Sequence, residues 1–360
     1  MQGGRSSAAA GPAALSATGT VPGALTGLEA DPDSPRSEVD HAGMHGEEHH
    51  SASRAVKHTR IVSGDVGLLN RLQELWRARE LFVFLVRKEI KVKYMNSFLG
   101  FLWSMLNPAF SLAVFYVLFT FFLRNGIPYF VIYLFSAMLV WNLFQTAVMS
   151  GTSAIVFNSG IVKKVAFPRE ILPLASVGSA FMFFVFQSVV LILFMLAFWH
   201  RPDWSAIWLL VPALGAIILF ASALSVFLGA VNVYLRDTQH LVEVILAAWF
   251  WACPGIYAFS GTVHSGLERH SLFRIPGTHL IWFYFINPVT PVVMTFQRVF
   301  YNLFHTFSTN PPHPALAVMA HYSIHWYLFA DLVVAGISLV LLLGALVVFG
   351  RLEGNFAEEL

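Results

Sequence analysis

From position 101 onward the chain is organised by long stretches without charge. Residues 125–162, 171–200, 205–235, 244–267 and 332–350 contain no Asp, Glu, Lys or Arg. A bilayer core about 30 Å thick needs roughly 20 apolar residues in helical form. Backbone polar groups inside lipid must be satisfied within the segment, which selects helices. The pattern predicts six transmembrane helices, at about 101–123, 128–156, 171–199, 205–234, 241–260 and 327–349. In the first, Asn107-Pro108 predicts a kink or break in the cytoplasmic third.

Two regions depart from plain spans. Residues 75–95 are too charged to cross. Arg77, Glu80, Arg87 and Lys91 recur at helical spacing while Leu81, Phe82 and Leu85 point elsewhere. This predicts an amphipathic helix in the cytoplasmic interface, its cations among anionic headgroups. Val83 and Phe84 fall near the polar side, so the amphipathicity is imperfect. The second region is 261–326. Its uncharged part, 275–297, is interrupted by Pro276, Gly277, Asn287-Pro288 and Pro291. It predicts external re-entrant half-helices rather than a seventh span.

The expected fold class is therefore an all-α membrane protein. Its parts are a disordered cytoplasmic N-terminal tail (1–65), an amphipathic interfacial helix (66–100), a transmembrane domain (101–350) and a cytoplasmic C-terminal tail (351–360). Residues 1–60 are rich in Ala, Gly, Ser and Pro and lack an apolar h-region, so no ordinary cleaved signal peptide is expected. The tail's His41, His45, His49 and His50 are irregularly spaced and suggest no metal site.

Composition agrees: 57% of residues are hydrophobic and 12% charged, against about 25% charged in soluble domains. The placement of charge says more than its total. Arg71, Arg77, Arg79, Arg87, Lys88, Lys91 and Lys93 precede the first span. Lys163, Lys164 and Arg169 lie between the second and third, and Arg236 and Arg351 follow the fourth and sixth. The other side holds scattered arginines and no lysine. The positive-inside rule places both termini in the cytoplasm, in agreement with an even number of spans. The single cysteine, Cys253, excludes an intrachain disulfide.

Chemistry is sparse. The sequence has no GxxxxGK[ST] or GxGxxG nucleotide cradle, no GxSxG and no HExxH. His321 and His325 stand at i, i+4, but within the interfacial stretch HYSIHWY, and no metal site is expected there. Glu243 and Asp331 are the acids nearest the spans, and both sit near span ends, which argues against ion coupling. The loop 157–170 (FNSGIVKKVAFPRE) mixes apolar residues with cations. It suits either a short helix docking on another protein or a basic anchor. The aromatics Phe110, Phe115, Tyr116, Phe119, Trp141 and Phe144 recur at roughly helical spacing, and Trp249, Phe250 and Trp251 are consecutive. They suit helix packing or, facing a conduit, the C–H faces of sugar rings.

The segments VRKEIKVKYMNSFLGFLWSMLNPAF (86–110), VKKVAFPREILPLAS (162–176), VYLRDTQHLVEVIL (233–246), WFWACPGIYAFS (249–260) and INPVTPVVMTFQRVFYN (286–302) occur in order. Together they resemble ABC-2 type polysaccharide-export permeases, the membrane subunits of O-antigen, teichoic acid, capsule or galactan exporters. The resemblance implies a homodimer in the bacterial plasma (inner) membrane, paired with two copies of an ABC ATPase. It implies a lipid-linked polysaccharide as cargo and no nucleic acid. No cofactor would be bound by this chain; ATP and Mg would act through the partner ATPase. The ATPase-coupling residues would be Phe157, Asn158, Ile161, Lys163, Lys164, Phe167, Pro168, Arg169 and Glu170, with Arg236 and Asp237 as a smaller contact. Arg87, Lys88, Lys91 and Lys93 would meet a lipid pyrophosphate, and Phe110, Tyr116, Trp141, Phe144 and Trp249 would line the channel. The chain would be a transport subunit and not an enzyme. Two alternatives stand beside this. One is an exporter of small molecules or lipids on the same plan. The other is a membrane-embedded glycosyltransferase, for which Asp203, Glu268 and Asp331 are the external acids.

Overall fold

The apolar runs fold as long helices. The computed structural model describes residues 67–95, 102–122, 126–259, 284–304 and 317–360, all within the unit Arg60–Leu360. The N-terminal tail and most of 261–326 lie outside the described residues. Helices α1 (Leu68–Arg77) and α2 (Arg79–Tyr94) precede α3 (Leu102–Val117), which ends in a π-helical turn, Leu118–Phe122. Then come α4 (Phe130–Phe157), the four-residue α5 (Ser159–Val162), α6 (Ile171–Ala197) and α7 (Leu210–Tyr234). They are followed by α8 (Thr238–Trp251), α9 (Val289–Phe300), α10 (Ile324–Leu352) and the short α11 (Phe356–Glu359).

Among the described residues, five helical segments are long and apolar enough to cross a bilayer: Met105–Phe122, Phe130–Phe157, Ile171–Ala197, Ile207–Tyr234 and Ile324–Asn355. They coincide with five of the expected spans. The segment expected at 241–260 differs. Its helix α8 has 14 residues, about 21 Å at 1.5 Å per residue. It stops just ahead of Cys253-Pro254-Gly255, where proline offers no N–H to continue the ladder. The backbone beyond is irregular but enclosed by protein. Tyr133 Oη donates to the carbonyl of Tyr257 at 2.8 Å, and Gln297 Nε2 donates to that of Pro254 at 2.9 Å. Pro108, by contrast, lies inside continuous helix, and the departure from regular α-helix comes later, at the π turn.

The interfacial region also differs from a single helix over 75–95, because the chain breaks at Ala78 into α1 and α2. Val83 and Phe84 are exposed and Leu85 is buried. Helix α2 lies against α6. The Glu89 carboxylate accepts from Ser176 Oγ at 2.9 Å and Ser179 Oγ at 2.6 Å. A Cβ added to Gly178 would come within 2.8 Å of Phe82 Cζ and Val86 Cγ2. Gly178→Leu should therefore lift α2 from α6 at a cost of about 1–3 kcal/mol. Faster proteolysis within 67–95, with the rest of the protein intact, is the expected readout.

The core centres on α4, most of which is buried. Small residues set its crossing with α7. A Cβ on Gly151 would overlap the Ser225 side chain, and one on Gly229 would lie 3.0 Å from the Gly151 carbonyl oxygen. Ser225 Oγ donates to the Ala147 carbonyl at 3.0 Å. Close backbone approach through small residues is the usual way helices associate in lipid, where burial of apolar surface gives no drive.

The two ends of the bundle are distinct. At one, α1, the 158–170 link, the α7–α8 turn and the C-terminal segment pack together: Tyr234 Oη donates to the Leu352 carbonyl at 2.7 Å, and Leu68, Leu75, Phe167, Tyr234 and Leu360 surround buried Phe349 and Phe356. At the other end, His200 Nε2 hydrogen-bonds the Tyr301 carbonyl at 2.8 Å, and Arg298 pairs with Asp203.

Candidate functional site

The 157–170 segment is where the residues of the first end converge. Helix α4 ends at Phe157, a residue 78% exposed. Asn158 caps it by donating from Nδ2 to the Ala154 carbonyl at 2.8 Å, and accepts from Lys88 Nζ at 2.8 Å. The single turn of α5 buries Val162 and leaves Ile161 at the surface. Lys163, Lys164 and Val165 are exposed. The segment thus presents a projecting apolar and cationic ridge.

Its far end is fastened inward. Phe167 packs against the buried cluster around Phe349 and Phe356, and Pro168 is half-buried. Arg169 Nη1 donates to the Glu353 carbonyl at 2.8 Å, its Nε lies 3.7 Å from Glu353 Oε1, and its guanidinium stands 5.9 Å from the Phe356 ring centroid. Glu170 is 3% exposed and pairs with Arg71 of α1. Arg71 Nη2 also lies 3.8 Å from Glu353 Oε2, and a Cβ on Gly350 would overlap its guanidinium. Burial pushes the Glu170 carboxyl above the usual range, while Arg71 pulls it back. Of the residues expected to meet an ATPase, Phe157, Ile161, Lys163 and Lys164 thus face outward. Arg169 and Glu170 are turned into the protein and hold the base of the ridge. Arg236 and Asp237 are exposed at the α7–α8 turn.

Arg71 and Glu353 are the members of this cluster that sequence reasoning missed. They lie 99 and 183 residues from Glu170 along the chain and meet it only through the fold, and no local pattern marks them as partners.

The basic residues of α2 divide as well. Arg87, Lys91 and Lys93 are exposed. Lys88 is engaged with Asn158, and Lys93 Nζ sits 4.1 Å from the Phe183 ring centroid.

The aromatic residues expected to line a channel fall into two sets. Phe110 is 69% exposed on α3, and Tyr116 is half-buried beside Phe121. Trp141, Phe144 and Trp249 instead pack within the subunit. Phe144 is fully buried, 5.5 Å from Phe220 and 5.4 Å from Trp249 between centroids. Trp141 is 5.5 Å from Phe250, and Trp249 Nε1 donates to Asn287 Oδ1 at 2.9 Å. In the single chain these three form the seam joining α4, α7 and α8.

Asp331 occupies the second turn of α10, fully buried, and its Oδ2 accepts from Thr295 Oγ1 at 2.8 Å. Asp203 is engaged with Arg298 and Ser205. Glu268 lies outside the described residues.

A family model described as ABC-2 type transporter matches residues 80–301. The chain is 32% identical over 294 residues to the O-antigen export system permease protein RfbA of Myxococcus xanthus, covering 81% of this chain and 100% of that relative. Two Klebsiella pneumoniae proteins of the same name are each 26% identical over 224 residues, 62% of this chain and 81% of their own length. A multi-pass helical body, a projecting basic ridge at one end and a family match over most of the transmembrane region converge: the chain belongs to the ABC-2 type transporter family of membrane subunits.

Proposed function

We propose that this chain is the permease half of an ATP-driven exporter that moves a lipid-linked polysaccharide out of the bacterial cytoplasm. Two copies would form the passage in the plasma membrane, and two copies of a separate ABC ATPase would drive it. The observation that carries the reading is the ridge Phe157–Ile161–Lys163–Lys164, exposed at its crest and clamped at its base by Arg71, Arg169, Glu170 and Glu353. A ridge held this firmly can pass a partner's displacement to α1, α4, α6 and α10 together. The chain also carries no nucleotide loop of its own. The names of the relatives supply the cargo class.

Six crossings with both termini cytoplasmic fit the contacts. Helix α8 starts beside the ridge end of the bundle, and residues 254–257 reach Tyr133, near the opposite end of α4. In this reading a short helix and an irregular, protein-enclosed segment together make the fifth crossing. Helix α9 is a re-entrant element. It begins beside Asn287, bonded to Trp249, and carries in its last turn Arg298, paired with Asp203 at the outer end.

The test is reconstitution of the permease with an ABC ATPase that co-purifies with it. Proteoliposomes should translocate lipid-linked glycan with ATP and fail without the ATPase. Glycan movement by this chain alone would overturn the reading. Transport of small amphiphiles but not glycan would replace the cargo.

A further inference from the structure

Polar side chains in the membrane-spanning helices converge on one place. A cavity of about 520 Å³ lies between α2, α3, α4 and α6, within the range of about 300–1,000 Å³ common for small-ligand sites. Amide side chains reach it from three helices: Asn107 on α3, Asn142 and Gln145 on α4, and Gln187 on α6. Lys93 of α2 and Trp103 of α3 complete the lining that matters here. Polar groups at such depth are costly unless bonded to protein, water or a ligand.

The internal bonds account for only half of each α4 and α6 amide. Asn142 Nδ2 donates to Gln187 Oε1 at 3.1 Å, and Trp141 Nε1 donates to Gln145 Oε1 at 2.9 Å. These bonds fix the amides in place. They leave the Asn142 carbonyl and the NH2 groups of Gln145 and Gln187 available to a guest, a mixture of acceptor and donors. Sugar hydroxyls, each donor and acceptor at once, match that mixture. Trp103 is 55% exposed and offers an aromatic face to a ring's C–H side. Lys93 is the cation of the cavity, fixed over Phe183, where it can meet a phosphate.

We propose that this cavity, within each subunit, binds the phosphate-bearing sugar of a lipid-linked glycan: amides on its hydroxyls, Trp103 on its ring and Lys93 on its phosphate. The proposal deepens the polysaccharide-permease reading and rests on it. It differs from that reading in placing a discrete sugar site inside one protomer, between α2 and the α3–α4–α6 wall.

The test uses the permease–ATPase complex in nanodiscs of phosphatidylethanolamine and phosphatidylglycerol. Three probes are titrated: an isoprenyl diphosphate-linked hexose, the isoprenyl diphosphate without sugar, and additional phosphatidylglycerol. Asn142→Leu, Gln187→Leu and Trp103→Ala should each weaken binding of the sugar-bearing probe at least tenfold and leave the sugar-free diphosphate unchanged. Lys93→Gln should weaken both diphosphates alike. A photo-crosslinker at position 107 in otherwise unaltered, folded protein should capture the sugar-bearing probe, which guards against a variant that merely misfolds. Capture of phosphatidylglycerol alone, or unaltered sugar binding in the amide variants, would overturn the proposal while leaving polysaccharide export intact. A wild-type complex that neither binds nor moves any glycan would remove the functional reading and this site together.

Discussion

Gly151→Ala should lower the thermal midpoint of the detergent-solubilised protein by several degrees, and Gly151→Val should leave little folded material. The cause is contact at the α4–α7 crossing. An added Cβ at 151 overlaps Ser225 Cβ and Oγ and lies 3.2 Å from Ser225 Cα. That neighbour is anchored to backbone and cannot swing aside. Overpacking of this kind costs about 1–3 kcal/mol for one methyl group, and a β-branched residue adds two more carbons to the same gap. Prying the helices apart would also break the Ser225–Ala147 bond. A double-mutant cycle supplies the control. Ser225→Gly removes the overlapping atoms, so Gly151→Ala should cost clearly less in that background than in the wild type. Equal costs in the two backgrounds would show that the crossing is not what Gly151 serves.

Reversing the exposed cations should uncouple the machine without unfolding it. Lys163→Glu with Lys164→Glu should weaken ATPase binding at least tenfold and abolish glycan-stimulated ATP turnover. Both lysines are exposed, and neither takes part in the clamp formed by Arg71, Arg169, Glu170 and Glu353, so the thermal midpoint should hardly move. Charges at the rim of an interface govern encounter and register, and a reversed sign places like charges opposite each other. The effect should therefore shrink at high salt. The competing role for the pair is topological anchoring under the positive-inside rule. Lys163→Gln with Lys164→Gln separates the two, because it removes the anchor charge without creating repulsion. Full ATPase affinity in the Glu pair would remove these residues from the docking role. Inverted accessibility of a C-terminal label would assign them to anchoring instead.

The clamp illustrates what a one-dimensional reading misses. FPRE at 167–170 reads as the polar end of a loop, and its charges look available to a partner. Folding brings Arg71 and Glu353 to it from opposite ends of the chain, and the same charges become internal. A buried ion pair of this sort contributes geometry more than stability, because desolvation offsets most of the attraction. What it does here is fix the base of the ridge to α1 and to the C-terminal segment.

The aromatic residues teach the same lesson from the apolar side. Phe110, Tyr116, Trp141 and Phe144 recur at roughly helical spacing, but they belong to two helices whose relative rotation no sequence period records. The fold exposes Phe110 and buries Phe144. The amides Asn142, Gln145 and Gln187 were visible as polar interruptions of uncharged runs, yet only the packing of α4 on α6 shows that they share a cavity.

The sequence by itself determined that the chain crosses a membrane as helices, roughly where most of those helices run, and which loops carry the cations. These properties follow from local length and transfer energy, and each segment must satisfy them alone, whatever its neighbours do. Only the tertiary structure decided what encloses the backbone beyond α8, which cations are exposed and which are clamped, and which polar groups meet inside the bundle. Those outcomes depend on helix rotation and on pairings between residues 45 to 184 positions apart or more, and no local periodicity encodes either.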